Sequence, residues 1–561
     1  MNKKQTVPRN INLIEKTKAI YLRLRFLPNK DNIGHYLLGL AVAIGILSFG
    51  VILYYILFPS RGYFHSDTTD TILWAQASFD AGWIYNTDFN YAAFMPFGGH
   101  LLMLLFMPFF GVSMTTHLLG MTLFYVLMLG ALVLFCRTFK FSWIQTALTC
   151  FIFVFGVAGS EKIREIFYGH IIYYSLGVLF FLVGFSLTFR LEASLTGSVD
   201  TRKKRWIPLA ILTGVFYLLT SLNGLQSFTL FTIPVVGGYF LQTWFDGKKP
   251  LAETNQKPFW ITISIILISV VIGTIFLLIL RSKVSQGYAD AYSVFSNPSD
   301  WIKNANKFIE QWFTLIGVDT HYGEPLGSFK SILNMVRIVF GVLLLVIPVL
   351  MIFKYPKLND PKLKTLLIGY WLMTTILMIG YVFGLLSSAS WRLTPMVALA
   401  ILCSVAYLKS LIAQSDNKRL AWVFLAPFLL VGLIHCLQIT EMPKDDNLEL
   451  GKFDVYVIAR ELEALDLEYG YANFWRASAV TVISDSRVRI RPITDELEIY
   501  HYQSQNAWYD DQPDVDQYFL VLTASEYNKA KQKIWYLYSH EEHLINGSQT
   551  YYVLVFDENI F

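Results

Sequence analysis

Two aspartates just past the first long apolar run carry the most suggestive chemistry in this chain. The stretch "YFHSDTTDTILWAQASFDAGW", residues 63–83, places His65, Ser66, Asp67 and Asp70 together. A carboxylate held at a helix start is well placed to act as a general base. The same residues could instead be caps. Ser66 or Asp67 would then be the N-cap of a helix ending at Gly82, with Asp70 favouring its positive end. On such a helix Asp67 and Asp70 share a face at i, i+3, so the two roles can be divided between them.

Other charged groups fall in connectors. The segment "GSEKIREIFYGH", residues 159–170, supplies Glu161, Lys162, Arg164, Glu165 and His170. Arg164, with Lys162 or His170, could hold a phosphate, while Glu161 or Glu165 assists an acceptor or a metal. Alternatively these side chains snorkel from an interfacial loop. Arg281 and Lys283 follow another apolar run, and Arg392 stands in "SSASWRLTP". Each could be a phosphate ligand or an interface anchor. His321 lies in a further connector. There is no HExxH, no CxxC and no glycine-rich nucleotide loop. A divalent cation such as magnesium or manganese, held by Asp67, Glu161 or His321, stays open as a cofactor. Trp74, Trp83, Tyr91 and Trp301 could stack on sugars or belong to the interfacial aromatic belt.

These groups need elements to place them. The chain of 561 residues is 54% hydrophobic and 15% charged. A soluble protein carries charge on about a quarter of its residues. The apolar residues come in blocks long enough to cross hydrocarbon about 30 Å thick. The class expected is an α-helical polytopic membrane protein in contact with a lipid bilayer. A net charge of +4 gives no reason to invoke nucleic acid. The four cysteines, Cys136, Cys150, Cys403 and Cys436, lie in or beside apolar blocks and form no disulfide framework.

The block rule predicts eleven spans: 35–58, 113–135, 143–159, 170–189, 207–221, 226–244, 259–280, 331–353, 365–386, 393–412 and 421–438. Residues 1–34 form a basic, half-amphipathic lead-in suited to a membrane surface. Basic connectors such as "RKKR", "DGKKP" and "DNKRL" place the N-terminus in the cytosol. The long connectors 59–112 and 281–330 then lie outside, as does the segment after the last span. Residues 84–112, broken by Pro96, Gly98, Gly99 and Pro108, read as juxtamembrane or re-entrant. Residues 439–561 regain charge and read as a small extracytoplasmic α/β domain. Its strands are expected at "SAVTVISD", "RVRIRPI", "YFLVLTA" and "YYVLVFDE", and its helices at 453–466 and 525–539.

With "HSDTTD" after the first span, "FMPFGGHLL" further on and "LEYGYANFWRASAVTVISDSRVRIRPI" at 467–493, the chain resembles the GT-C membrane glycosyltransferases. These include protein O-mannosyltransferases and lipid A aminoarabinose transferases, and a bacterial branch that decorates surface polysaccharides. The resemblance covers 35–438 by architecture. It implies a GT-C-like fold, a polyprenyl-phosphate-linked sugar donor and an acceptor hydroxyl on a glycan or another molecule, met at the outer face of a bacterial cell membrane. The family's first-loop acid would fall on Asp67, with Asp70 as the second. Many relatives have adjacent Asp-Glu where this chain has Ser66-Asp67-Thr68. The second-loop acid would be Glu161 or Glu165. The resemblance further implies inversion at the anomeric carbon and a lipid-phosphate leaving group met by Arg164, Arg392 and Lys283.

Two rival classes make different demands. A lipid-linked sugar transporter or flippase should show paired broken helices or midplane charges. A glycan polymerase or ligase using lipid-diphosphate substrates should favour an arginine-rich outer loop over an acidic one.

Overall fold

The computed structural model describes residues 33–196, 199–247, 256–285, 294–321, 323–385, 389–414, 418–443, 454–534, 538–546 and 549–561. The amphipathic lead-in expected over 1–34 lies almost wholly outside these residues. So do most of "DGKKP" and part of "DNKRL".

Among the described residues, eight helices are long and apolar enough to cross a membrane. They are α1 (Ile33–Leu57), Met114–Thr138, Tyr173–Thr196, Lys257–Arg281, Phe329–Phe353, Pro361–Phe383, Ser390–Ala413 and Trp422–Thr440. The other three predicted spans are helices that are shorter or interrupted. Trp143–Gly156 is only 14 residues long. Val199–Ser221 reaches 23 residues, but its apolar part begins at Trp206. The third is interrupted: Phe228–Gly237 is wound as a π-helix with Pro234 inside it, and regular helix resumes at Gly238. Proline removes an amide donor and crowds the preceding turn, which is a recognised origin of such a break.

The helices pack closely where glycine allows it. A Cβ at Gly273 would come within 2.4 Å of the Leu218 carbonyl, so Lys257–Arg281 lies against Val199–Ser221 at backbone distance. At the end of the bundle that carries the C-terminal domain, Gly159 and Gly317 cross. A Cβ on Gly159 would stand 2.3 Å from the Ile316 carbonyl, and Gly317 has φ +88°, a value glycine adopts freely. Ser160 Oγ donates to the Leu315 carbonyl at 2.8 Å. This crossing fixes the "EKIRE" loop against the amphipathic helix Pro298–Leu315.

Residues 84–112 do not cross the bundle. They form β1 (Phe89–Asn90) and the short helices His100–Leu104 and Met107–Phe110. Past the last span come β2 (Tyr469–Asn473), β3 (Arg489–Ile493), β4 (Ser504–Gln505), β5 (Tyr518–Thr523), β6 (His540–Asn546) and β7 (Gln549–Phe556). Five of them form one sheet in the order β3-β2-β5-β7-β6, with β2 parallel to both β3 and β5. The helices Asp454–Ala464 and Ala524–Ile534 fall where expected.

One expected strand is a helix. "SAVTVISD" lies within and just past Phe474–Ile483. Its β-branched residues favour a strand locally, but the segment joins parallel strands β2 and β3, and a parallel pair needs a crossover. Asn473 starts the helix by accepting from the Trp475 amide.

The sheet domain is tied to the first long connector. β1 pairs antiparallel with β4, Phe89 opposite Gln505 and Asn90 opposite Ser504. Ser66 Oγ donates to the Phe474 carbonyl at 2.6 Å, and Ser486 Oγ to the Val112 carbonyl at 2.8 Å. The hydrophobic cluster at this seam joins Leu73, Trp74 and Phe89 to Tyr469, Trp508 and Leu520.

Candidate active site

The segment "SDTTD" does not cap a helix in the expected way. Ser66–Thr69 form a short 3-10 turn, and the α-helix is Asp70–Asp80. Thr69 precedes it without a side-chain capping bond, and Ser66 is committed to Phe474. The local turn is closed by Thr68, whose Oγ1 accepts from the His65 amide at 3.1 Å. Both acids are therefore free of capping work.

Asp70 is partly open as a residue, yet its Oδ1 is sealed from solvent and has no hydrogen-bond partner. Burial, followed by the charge of Asp67, pushes the Asp70 carboxyl well above the usual carboxylate range. A hydrogen-bonding interaction with Gln503 opposes this and is outweighed. Asp70 thus favours its protonated form relative to an ordinary aspartate.

Glu165 behaves in the opposite way. Burial raises its pKa, but a hydrogen bond from His65, the charge of His170 and a bond from Lys162 overcome that and bring it to about 2. Its Oε1 lies 3.6 Å from His65 Nε2 and 3.9 Å from His170 Nε2, and Lys162 Nζ binds Oε2. His170 Nδ1 in turn approaches the Asp67 carbonyl at 3.2 Å. The carboxylate of the second loop therefore fixes the backbone that carries the first-loop acid.

Cations reach the same place. Lys162 Nζ stands 5.2 Å over the Trp391 ring, which brings the "EKIRE" loop to the Ser390–Leu393 turn and its Arg392. Tyr173 lies within electrostatic reach of Arg392, Asp70 and Asp67, and Tyr174 within reach of Arg392. The charges of Asp67, Asp70 and Arg392 are thus all felt at Tyr173, and Lys162 lies against the Trp391 that precedes Arg392.

Other candidates go elsewhere. Arg164 is buried and turned inward: it donates to the Ala158 carbonyl at 3.0 Å and lies 5.5 Å over the Tyr55 ring. Its Nε is buried without a hydrogen-bond partner. Glu161 is exposed at the start of its turn. His321 is exposed and faces Asp319 at 3.2 Å. Arg281 and Lys283 stand just before Ser285, which pairs with Asn90 and accepts from the Tyr91 amide. Asp67, Glu161 and His321 do not converge. Among the described residues there is no group of three or more His, Cys, Asp or Glu suited to a metal ion. Trp74 is buried at the seam, whereas Trp83 is exposed.

The sequence reading missed three residues. Tyr173 and Tyr174 follow His170 closely, and that proximity was a usable signal. Gln503 had none, because it lies far along the chain in another domain. Its side chain is fully buried and its Oε1 accepts from Trp74 Nε1 at 2.5 Å.

The space beneath Thr68, His117 and Glu165 is about 10 Å³, enough for one water. A larger apolar groove of about 560 Å³, lined by Phe245, Tyr355 and Trp371, opens at the opposite end of the bundle.

The structure of ArnT, the aminoarabinose transferase of Cupriavidus metallidurans, bound to undecaprenyl phosphate, aligns over 92% of this chain and 98% of its own, with TM-score 0.50 and 10% identity. The apo oligosaccharyltransferase of Archaeoglobus fulgidus aligns over 82% of this chain with TM-score 0.46 and 11% identity. This chain spans 64% of the length of that protein. No protein-family model matches the sequence, and no curated protein matches it. At such identities the likeness establishes architecture, and the activity has to be argued from the site.

Proposed function

We propose that the chain moves a sugar from a polyprenyl-phosphate donor to an acceptor hydroxyl, of a cell-wall or surface polysaccharide, at the outer face of the membrane. The observation that carries this reading is the meeting of Asp67 and Asp70 with Tyr173 and Arg392, with Lys162 alongside. Acids and cations so arranged suit a displacement in which a hydroxyl loses a proton while a phosphate leaves. The bundle end bearing the sheet domain would then be the outer face, in keeping with the basic connectors assigned to the cytosol.

In this mechanism Asp67 is the base. Asp67 is partly exposed, whereas Asp70 Oδ1 is sealed from solvent. Asp67 takes the proton of the acceptor hydroxyl as its oxygen attacks the anomeric carbon. The bond from that carbon to the phosphate oxygen breaks on the opposite face, so the configuration inverts. Arg392 and Lys162 meet the charge that develops on the departing lipid phosphate. Glu165, through His65 and His170, keeps the Asp67 backbone in place. The polyprenyl tail needs only apolar helix surface.

The test uses full-length protein in lipid nanodiscs and undecaprenyl phosphate carrying glucose, galactose, mannose, arabinose or N-acetylglucosamine. Formation of free undecaprenyl phosphate with an acceptor polysaccharide is the readout. At least one donor should turn over, and Asp67→Asn should abolish that turnover. Undiminished transfer by the variant would remove Asp67 from the mechanism. Failure of wild type with every donor would remove the function.

A further inference from the structure

The apolar groove at the far end of the bundle from the sheet domain runs along one helix, away from a basic turn. Its floor is a stripe of Pro361–Phe383, where Leu367, Trp371 and Thr375 recur every four residues. From Leu367 to Thr375 such a helix rises about 12 Å. Phe245, at the end of the span interrupted by Pro234, forms one wall, and Ile352 and Tyr355 form the other. The neighbouring stripe of the same helix is covered by protein. A Cβ on Gly369 would stand 2.7 Å from the Pro234 carbonyl, and one on Gly238 would stand 2.8 Å from the Thr365 carbonyl. The groove has no such cover, and its volume of about 560 Å³ falls in the range of ligand pockets.

What fills it is decided at its basic end. Apolar walls accept the chain of any lipid, so the walls alone select nothing. The turn that joins Phe329–Phe353 to Pro361–Phe383 carries Lys354, Lys357, Lys362 and Lys364 at or near its ends. Two of these are answered. Lys362 Nζ lies 3.6 Å from Asp360 Oδ1, and Lys364 Nζ lies 2.6 Å from Asp246 Oδ1. Lys364 also stands 4.8 Å over the Tyr355 ring, which ties that wall to the end of the interrupted span. The other two, Lys354 and Lys357, are exposed and make no ion pair among the described residues. They flank Tyr355 and Pro356, which line the groove, and the Lys357 amide closes the turn on the Lys354 carbonyl at 2.9 Å. Two unanswered cations at the head of an apolar groove match an amphiphile with a negative head and an apolar chain. A zwitterionic lipid brings its own cation, and a soluble anion has no chain for the groove.

We propose that this groove holds one anionic membrane lipid, with its phosphate at Lys354 and Lys357 and a chain along Leu367, Trp371 and Thr375. A chain there touches Phe245 and Ile352 together, so it braces the segment that resumes after Pro234 against the span before the turn. The site is separate from Asp67, and it stands whether or not the transfer reaction does.

Full-length protein is placed in nanodiscs holding equal amounts of phosphatidylglycerol and phosphatidylcholine with identical chains. Lipids retained on release are counted by native mass spectrometry. Wild type should retain one phosphatidylglycerol in preference to phosphatidylcholine by roughly tenfold, as two lysines acting on one anionic head imply. Lys354→Glu combined with Lys357→Glu alters only exposed side chains and should bring the ratio close to one. Brominated chains report the position. The fluorescence that Trp371→Phe removes should be quenched more by brominated phosphatidylglycerol than by brominated phosphatidylcholine, and the double variant should erase that difference. An unchanged ratio in the double variant would overturn the proposal, because the lysines would then select nothing. Selective retention without quenching of Trp371 would put the lipid elsewhere on the bundle and overturn the groove as its site. Equal retention of both lipids by wild type would leave ordinary solvating lipid only. A dimer that retains neither would give the groove to a second copy of the chain. Either result also overturns the proposal.

Discussion

Two polar clusters lie toward the same end of the bundle, and they are built on opposite plans. Around Arg337 every group is matched. Its Nε donates to His435 Nε2 at 3.2 Å, Nη1 to Asn334 Oδ1 at 3.0 Å and Nη2 to Gln438 Oε1 at 3.1 Å. His435 Nδ1 then meets the Phe155 carbonyl at 2.8 Å, and Asn334 binds the Asp319 carbonyl. Around Asp70 the opposite holds: Asp70 Oδ1, Thr71 Oγ1, His65 Nδ1 and Gln505 Oε1 are buried without a hydrogen bond among the described residues. A closed network stabilises and specifies packing. An open one in a folded protein has capacity left for something else. Charge content alone does not separate the two clusters, whereas the count of unmet hydrogen bonds does.

The contrast can be broken by mutation. The largest effect is expected at the open cluster: Asp67→Asn should lower kcat by roughly 100- to 10,000-fold, the usual worth of a general base, with no change in thermal midpoint. Next, Arg392→Ala should lower kcat/KM by roughly 100-fold, as loss of one stabilising contact to a developing anion does. Arg392→Lys should recover part of this in the same assay. Equal stability losses with intact transfer would instead make Arg392 an anchor.

The closed cluster should respond in the other currency. Arg337→Met leaves His435 Nε2 and Gln438 Oε1 unmet, at about 1–3 kcal/mol for each lost partner. The thermal midpoint in nanodiscs should fall by several degrees, with kcat of the folded fraction unchanged. A kcat that fell as far as for Asp67→Asn would erase the distinction.

The two carboxylates of the open cluster should differ in sign. Glu165 has its pKa lowered to about 2, so its ionised form stabilises the fold above the unfolded value and that contribution is lost as pH falls toward 2. Glu165→Gln should therefore lower the thermal midpoint at pH 7 and lower it less at pH 4. Asp70 is raised, so the native state holds its proton more tightly than the unfolded chain does. Its ionisation works against the fold as pH rises past the ordinary aspartate value. Asp70→Asn, a stand-in for the protonated acid, should raise the midpoint slightly at pH 8 and leave it unchanged at pH 4. Thermal scans across this range check both, and a common sign would refute the assignment.

The sequence disclosed what depends on local composition. Apolar blocks marked the eight long helices, and "SDTTD" and "EKIRE" pointed to segments that do meet, through His65, Lys162, Glu165 and His170. It could not disclose direction. Arg164 and Lys162 are two residues apart, and only packing against Tyr55 turns Arg164 inward while Lys162 faces Trp391. Ser66 looked like a cap because caps are local, but its partner, Phe474, is 408 residues away. Gln503 was invisible for the same reason. The "SAVTVISD" helix was hidden because β-propensity yields to the need for a crossover between parallel strands.

The short ladder of Phe89 with Gln505 and Asn90 with Ser504 also has a consequence for how the protein is made. Spans can enter the bilayer one after another as they leave the ribosome, but this pairing must wait until residue 505 has been synthesised. Until then Asp70 has no Gln503 beside it. Assembly of the site thus follows synthesis of every span, and a chain halted after its final span would carry every proposed charged group without the framework that aligns them.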